Sequence, residues 1–578
     1  PSAPSAGEWR FNSELKYVEY WDGGSPGAWR QIDTEAPANP DDFPSQNFNV
    51  NTYIGNGATQ AIDAKFNEAA NFNGASSGSQ IFISDADVFS PANNDLSFSV
   101  WVKTSSTSGG YFASKQDDST ITYEWQFYMN TNGTVVIGIF TSTGTTIAVA
   151  TSTATVNDGN WHNVAFVIDT NTSITVYVDK AGVTNSSWSG TMSNTSTDVL
   201  LGAGGGVPSF RLQGMLDQAR FFNTAITQSQ IDSLYDSETT TTAATLDFPS
   251  GAGCFAAYQL DGDASDVGGT YGGVTTDIGY TGLKFQPDFV WIKSRSNGRN
   301  HRLLDSIRGA TKVLSSDSTS NEYNEDSLTS FDSNGFTLGT GGNQNRLNET
   351  YVAWCWKAGG SAVSNTDGSI TSQVSANTAA GFSIVKWNTG TGTNSTVGHG
   401  LSSVELVLYK SLSTRAWIVY SSPTGVNKYL RLNESYQAQS QSNIFATPTT
   451  TTFTSKAGIN VGASEDYIAY CFHSVTGYQK VGSYTGTGVA NTAIGDTGFL
   501  PRWVMIKRTD AGSSNWFILD SIRDTTSPYG AYLLPNASNA ENNLDAYSLK
   551  FESTRFTVNS TDPQLNALNG TYIYLAIA

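Results

Sequence analysis

At 578 residues this chain is too long for one hydrophobic core, and at about 150 residues per domain it predicts roughly four domains. Only 14% of its residues are charged, and 31 Lys+Arg against 50 Asp+Glu leave a net charge of -19, which excludes the clustered cations on which nucleic-acid binding runs and disfavours anionic membranes. Polarity is carried instead by Ser, Thr, Asn and 56 Gly, and 12% of residues are aromatic, a mixture that favours half-buried strands joined by tight turns and predicts an all-β chain. No apolar run approaches the ~18 residues that cross a bilayer, and the closing YIYLAIA (572–578) is only strand-length. Cys254, Cys355 and Cys471 lie far apart, so they support neither a disulfide framework nor a zinc site and read as buried apolar residues.

The chain opens with three short aromatic runs: Trp9 and Phe11, then Tyr17 to Trp21 before an Asp22-Gly23 turn, then Trp29. They predict a three-strand meander over 1–33, too small to bury its own tryptophans and therefore expected to dock on copies of itself in a homo-oligomer, by preference a homotrimer. Its R-F-N … E-Y-W-D-G pattern resembles the small β modules of bacteriophage tail fibres and related virion proteins. Residues 34–47, with Pro37, Pro40, Pro44 and the pair Asp41-Asp42, read as a stiff linker.

Over 48–236 strands recur at regular spacing. FSVWVK (98–103) alternates Phe98, Val100 and Val102 onto one face, and TYEWQFYMN (122–130) sets Tyr123, Trp125 and Phe127 opposite Glu124, Gln126 and Tyr128. VVIGIF, WHNVAFVID and ITVYVD follow, which predicts an antiparallel sandwich. Near the end, TAITQSQIDSLY places Ile226, Ile231 and Leu234 in a short helix with Thr224 as its N-cap. The ordered set AKFNEAANFNGASSGSQIFI (64–83), FSVWVK, GNWHNVAFVID (159–169), ITVYVDKAG and GMLDQARFFNTAITQSQI (214–231) resembles the laminin-G-like, concanavalin-A-like jelly roll. The resemblance implies two sheets that bind glycans or proteins, with a calcium ion at a sheet rim in some members. Asp217 stands at that family's acidic position, so a Ca2+ ligand is one expectation for it; a turn cap or a pair with Arg220 is the other.

After a Thr-rich stretch (237–253) the chain repeats itself. FQPDFVWIKSR (285–295) returns as FLPRWVMIKRT (499–509), LLDSIRG (303–309) as ILDSIRD (518–524), SFDSNGFTLG (330–339) as KFESTRFTVN (550–559), and NETYVAWCWKA (348–358) as NGTYIYLAIA (569–578). A weaker copy runs through VELVLYKSL (404–412), RAWIVYSS (415–422) and EDYIAYCFHS (465–474). Three tandem β-sandwich-like repeats follow, over 245–358, 374–477 and 478–578. Pro before an unbroken run such as FVWI describes a strand buried on both faces, and Cys355 and Cys471 fall at equivalent core positions. CFAAYQLDGDASDVGGTYGG (254–273) resembles the opening strand and Asp-rich turn of a further laminin-G-like domain. The FxPxFVxIK and YVAWCWK signatures are similar to a module of marine virion structural proteins of the cyanophage and pelagiphage kind.

His162, His301, His399 and His473 have no Ser, Cys or carboxylate partner at a motif spacing, and neither G-x-S-x-G nor H-E-x-x-H is present. Glycoside hydrolysis needs only two carboxylates, but Asp305 and Asp520 recur beside Arg308 and Arg523 and read as structural pairs. The expectation is a non-enzymatic virion protein, a bacteriophage tail fibre or appendage, with other virion proteins and a host-surface glycan or protein as partners. Neither nucleic acid nor membrane insertion is expected, and no cofactor beyond that Ca2+. Exposed aromatics would carry the contact: Tyr128, and Tyr529 and Tyr532 in the SPYGAYLLP insertion. A capsid decoration or head fibre, and a polysaccharide depolymerase, are the alternatives.

Overall fold

The three N-terminal aromatic runs form strands Trp9–Asn12, Tyr17–Trp21 and Trp29–Ile32, paired antiparallel in that order as their alternation predicts. The computed structural model describes these strands and then residues 45–578, except 56–59, 75–78, 93, 206–209, 277–278, 341–342, 348, 391–393, 443, 457–460 and 525–526. The linker expected at 34–47 lies outside the described residues up to 44, and 45–47 form a turn.

The jelly roll is a pair of antiparallel sheets. One has the spatial order Thr146–Thr155, Thr134–Phe140, Thr122–Met129, Gly110–Asp117, Val199–Leu201, Gln80–Ile83, Gly273–Thr276; the other runs Ala181–Asn185, Ser173–Val178, Trp161–Asp169, Leu96–Lys103, Gln213–Phe222, Glu68–Asn73, Gly279–Gly282. Phe98, Phe127, Phe166 and Phe221 interlock between them, with Phe98 and Phe221 rings 4.5 Å apart. Tyr123 leaves this core because the register slips between Tyr123 and Trp125, so the strand's alternation restarts at a bulge. The helix is Gln228–Asp236, and its cap is Thr227 rather than Thr224: Thr227 and Gln230 form a capping box that satisfies two otherwise unpaired donors.

Strand pairing crosses the boundaries expected at 48–236 and 245–358. Phe48–Ile54 pairs with Thr350–Trp356, and Gln60–Ile62 with Gly335–Leu338, so the strands before the jelly roll belong to the first repeat. Conversely Cys254–Tyr258 closes the jelly roll by pairing with the Ala219–Phe222 half of its rim strand, where Glu68–Asn73 covers only the Gln213–Leu216 half. Gly273–Thr276 and Gly279–Gly282 then cover the outer edges of Gln80–Ile83 and Glu68–Asn73. An uncovered sheet edge exposes unpaired backbone groups, and these segments remove that exposure. The stretch 254–273 therefore completes the one jelly roll instead of opening another. The jelly roll is an insertion within the first module: where the third module passes from Asp496 to Phe499 directly, the first leaves after Ile62 and returns near Phe285.

Each module then has the same main sheet. Its order is Phe48–Ile54, Thr350–Trp356, Phe289–Ser294, Arg302–Asp305 in the first; Phe382–Asn388, Asp466–Phe472, Leu406–Ser411, Ile418–Ser421 in the second; and Gln479–Thr485, Thr571–Ile577, Trp503–Arg508, Trp516–Asp520 in the third. Aromatic pairs confirm the equivalence, since Tyr53 stacks on Tyr351 at 5.1 Å, Trp387 on Tyr467 at 5.3 Å and Tyr484 on Tyr572 at 4.7 Å. The opposite faces of all three sheets meet in one core built around Trp356, Phe382, Phe472 and Trp503. That is why the strands read as unbroken apolar runs: both faces are buried.

The modules close into a ring by equivalent bonds. Trp417 Nε1 donates to Ser315 O, Trp516 Nε1 to Arg431 O, and His301 Nε2 bonds Leu534 O, linking second to first, third to second and first to third. Trp291 Nε1 donates to His301 Nδ1 at 2.8 Å, so the imidazole carries its proton on Nε2; burial holds His301 well below its ordinary pKa, in the neutral form this bond requires. Backbone bonds repeat the cycle, from Glu322 N to Leu412 O, Ala438 N to Thr509 O and Glu541 N to Arg295 O. One chain thus builds a pseudo-three-fold body.

Candidate functional site

Of the three tyrosines expected to meet a ligand, Tyr128 is the one carried by the jelly roll. It lies on the outward face of Thr122–Met129, half-buried, directly across from Tyr111, with ring centroids 5.7 Å apart. Phe210 completes a triangle, 5.3 Å from Tyr111 and 5.7 Å from Tyr128. Gly109 makes room for it, because a Cβ there would stand 2.6 Å from the Phe210 ring. Gln126, on the same face as Tyr128, donates through Nε2 to Gln116 Oε1, and Gln116 Nε2 donates to the Tyr111 hydroxyl at 3.2 Å. Burial pushes the Tyr111 phenol up to about 12, so it stays protonated as a neutral hydrogen-bonding group. Across from Gln126 stands Gly138, and the Phe140 ring lies over it, where a Cβ would stand 2.9 Å from that ring. Tyr111 and Gln116 are buried and hold the part-exposed Tyr128, Phe210 and Gln126 in place, so those three are the groups that could meet a ligand. Alternation already sets Gln126 beside Tyr128, but Tyr111, Phe210 and Gln116 could not be picked out from spacing alone, since two bulges separate the register of these strands from simple alternation.

The other expected contacts are occupied. Tyr529 packs on Phe551 at 4.7 Å, and Tyr532 lies against Phe517 and Tyr547 at 5.5 and 5.0 Å, at the edge of the third module's core. Asp217 is fully buried. Its Oδ2 accepts from Phe66 N at 2.9 Å and its Oδ1 from Gln218 Nε2 at 3.0 Å, and burial, with Asp261 nearby, raises its pKa well above the usual carboxylate range. No cluster of three His, Cys, Asp or Glu with metal-binding geometry occurs among the described residues. The pair with Arg220 does not form either. A bulge with Gln218 at φ 53° turns Asp217 away, and Arg220 bonds Glu238 at 2.9 Å, which also accepts from Trp101 Nε1.

Asp305 and Asp520 do hold the expected arginines. Arg308 Nε lies 2.5 Å from Asp305, Arg523 Nε lies 2.6 Å from Asp520, and all four side chains are fully buried. Each carboxylate also accepts from a neighbouring module's aromatic residue, Tyr470 for Asp305 and Trp354 for Asp520. These acids therefore fasten modules together. His162, for which motif spacing shows no carboxylate partner, reaches Asp179 through Nδ1 at 2.6 Å and Asp158 through Nε2 at 3.0 Å, and these bonds raise it to about 8, a cationic clamp.

A two-sheet jelly roll spliced into a three-module β body defines the class of fold: residues 73–232 match the concanavalin A-like lectin/glucanases superfamily (Laminin_G_3). Residues 265–578, just over half of the chain, match the domain of unknown function DUF7483, and the chain belongs to that family. The match spans the three modules apart from the strands that precede the inserted jelly roll. No curated protein matches the chain. Similar solved structures include a putative carbohydrate binding protein from Bacteroides ovatus, at 13% identity and TM-score 0.27 over 38% of this chain and 60% of that one. A heptameric SAP-like pentraxin from Limulus polyphemus aligns at 13% identity and TM-score 0.25, over 41% and 95% of the two chains. Domains LG4-5 of the mouse laminin alpha1 chain align at 9% identity and TM-score 0.25, over 69% and 80%.

Proposed function

We propose that the chain is a non-enzymatic virion structural protein, a bacteriophage tail fibre or appendage, whose jelly roll touches a glycan on the host surface. The observation that carries the binding half is the part-exposed pair Tyr128 and Phe210 beside Gln126, seated on buried Tyr111 and Gln116, because pyranose rings stack on aromatic faces while amides bond their hydroxyls. The superfamily of the jelly roll includes lectins, which supports the same reading. The virion half is supported by the resemblance of the N-terminal meander and of the FxPxFVxIK modules to phage proteins. In this reading the meander joins copies into a homotrimer on the particle, and three weak sites then act together through effective concentration.

The test is an array of bacterial surface polysaccharides probed with the full chain and with Tyr128→Ala. The reading expects retention of particular glycans by the parent, loss of at least about tenfold in apparent affinity in the variant, and no shortening of the bound glycan. Equal retention by both proteins, or new reducing ends in the glycan, would overturn it.

A further inference from the structure

The second module differs from its neighbours at one place in the ring. In the first module Arg308 bonds Asp305 and Glu322, and Lys312 Nζ lies 3.9 Å from Glu322. In the third, Arg523 bonds Asp520 and Glu541. Strand register and the cyclic backbone bonds align Asp305 and Asp520 with Ser421, Arg308 and Arg523 with Thr424, and Glu322 and Glu541 with Ala438. The partner across the interface changes in step, since Tyr470 and Trp354, which donate to the two aspartates, correspond to Leu575. Ser421 Oγ is left buried with no hydrogen-bond partner.

Removing two long side chains from an interface leaves space. A cavity of 480 Å³ lies at this interface, lined by Thr424, Ala438 and Lys428 of the second module and by Ser483, Thr509 and Thr571 of the third. Lys428 occupies the position of Lys312, as their hairpin registers show. Its carboxylate partner has become Ala438, and among the described residues no carboxylate lies within ion-pair distance of it. The pocket thus keeps a cation, has lost the anion that elsewhere neutralises it, and is lined by hydroxyls. Its volume falls within the roughly 300–1,000 Å³ typical of small-ligand sites.

We propose that this cavity binds a sugar unit bearing a carboxylate, such as a uronate. The carboxylate takes the place that Glu322 fills in the first module, paired with Lys428, and the ring hydroxyls bond Thr424, Thr509, Thr571 and Ser483. The inference is independent of the reading made for the jelly-roll face. A neutral sugar would leave Lys428 unpaired, so charge sets the preference, and the charge-assisted bond supplies about tenfold in affinity.

Calorimetric titration of the full chain with glucuronate and galacturonate, against glucose and galactose at equal ionic strength, tests it. The uronates are expected to bind at least about tenfold more tightly than the neutral sugars, and Lys428→Ala to remove that difference. The double substitution Thr424→Arg, Ala438→Glu rebuilds the neighbours' side chains in the cavity and is expected to abolish uronate binding with no fall in melting temperature. Should that variant not fold, Lys428→Ala, an exposed residue, decides alone. Tyr128→Ala is expected to leave uronate binding unchanged; loss of uronate binding in Tyr128→Ala would move the sugar to the jelly roll and overturn the proposal. Uronates that do not bind, or that bind Lys428→Ala as tightly as the parent, overturn it while leaving polysaccharide binding by the jelly-roll face intact.

Discussion

The jelly roll and the three-module body use the same strands in opposite ways. In the jelly roll both sheets share a private core, and while the helix Gln228–Asp236 covers the outer face of one through Ala165, Val167 and Phe222, the other leaves Gln126 and Tyr128 on its outer face, alternating with Trp125 and Phe127. In the body each main sheet buries both faces, one in its own module and one in the shared core. The difference separates tasks: a sheet with a free face can carry a ligand, whereas a sheet without one carries load and offers sites only where modules meet. It also predicts two thermal transitions, with disturbances of the shared core confined to one of them.

The largest effect should come from the ring. Asp520→Ala takes one of two carboxylate partners from buried Arg523, leaving Glu541, and frees Trp354 Nε1, so the body should lose about 3 kcal/mol while the jelly-roll transition stays in place, as calorimetry would show. A common shift of both transitions would mean that the two regions melt as one. Trp417→Phe keeps the ring's bulk but deletes the bond to Ser315 O, and about 1–3 kcal/mol should go from the body alone.

Acidity should drive the two regions apart. Burial lowers Lys293 to about 8 and Lys410 and Lys507 to about 7, from an ordinary 10.5. Their Nζ atoms bond only backbone carbonyls, Lys410 reaching Ser411 O and Ser413 O. Between those values the unfolded chain binds more protons than the folded one, so the body's stability should rise as pH climbs from about 7 to about 10. His162, in the jelly roll, is raised from 6.5 to about 8 by Asp179 and Asp158. Its contribution is complete below pH 6.5 and is lost as pH rises through 8, so the two melting temperatures should move in opposite directions over that range. Lys507→Met should flatten the body's rise and leave the other curve alone. The smallest thermal effect belongs to Tyr128→Ala, within about 0.5 kcal/mol as for most half-exposed positions.

Much of this architecture could be read from residues. The jelly roll announced itself through Phe98, Trp125 and Phe166 on alternating strands, and the modules through repeated FVWIK-like runs and the aligned Cys355 and Cys471, both fully buried. The insertion was not legible. FNVNTYI at 48–54 alternates like any one-sided strand, and only its pairing with Thr350–Trp356 reveals that it belongs 300 residues downstream. Tyr529 and Tyr532 looked free because the rings against them, Phe551 and Phe517 on other strands and Tyr547 in a 3-10 turn, lie elsewhere in the chain. Asp217 and Arg220 are spaced as a pair, but one bulge sends them to different partners. In each case the missing information was register, which local composition does not contain.

The account stands on a jelly-roll face that holds glycan without breaking it. The most direct measurement incubates the full chain with a retained surface polysaccharide, follows saturable binding and sizes the polymer afterwards. Saturable binding that Tyr128→Ala removes, with polymer length unchanged, is the predicted result; fragments in the supernatant, or binding indifferent to Tyr128, would contradict it.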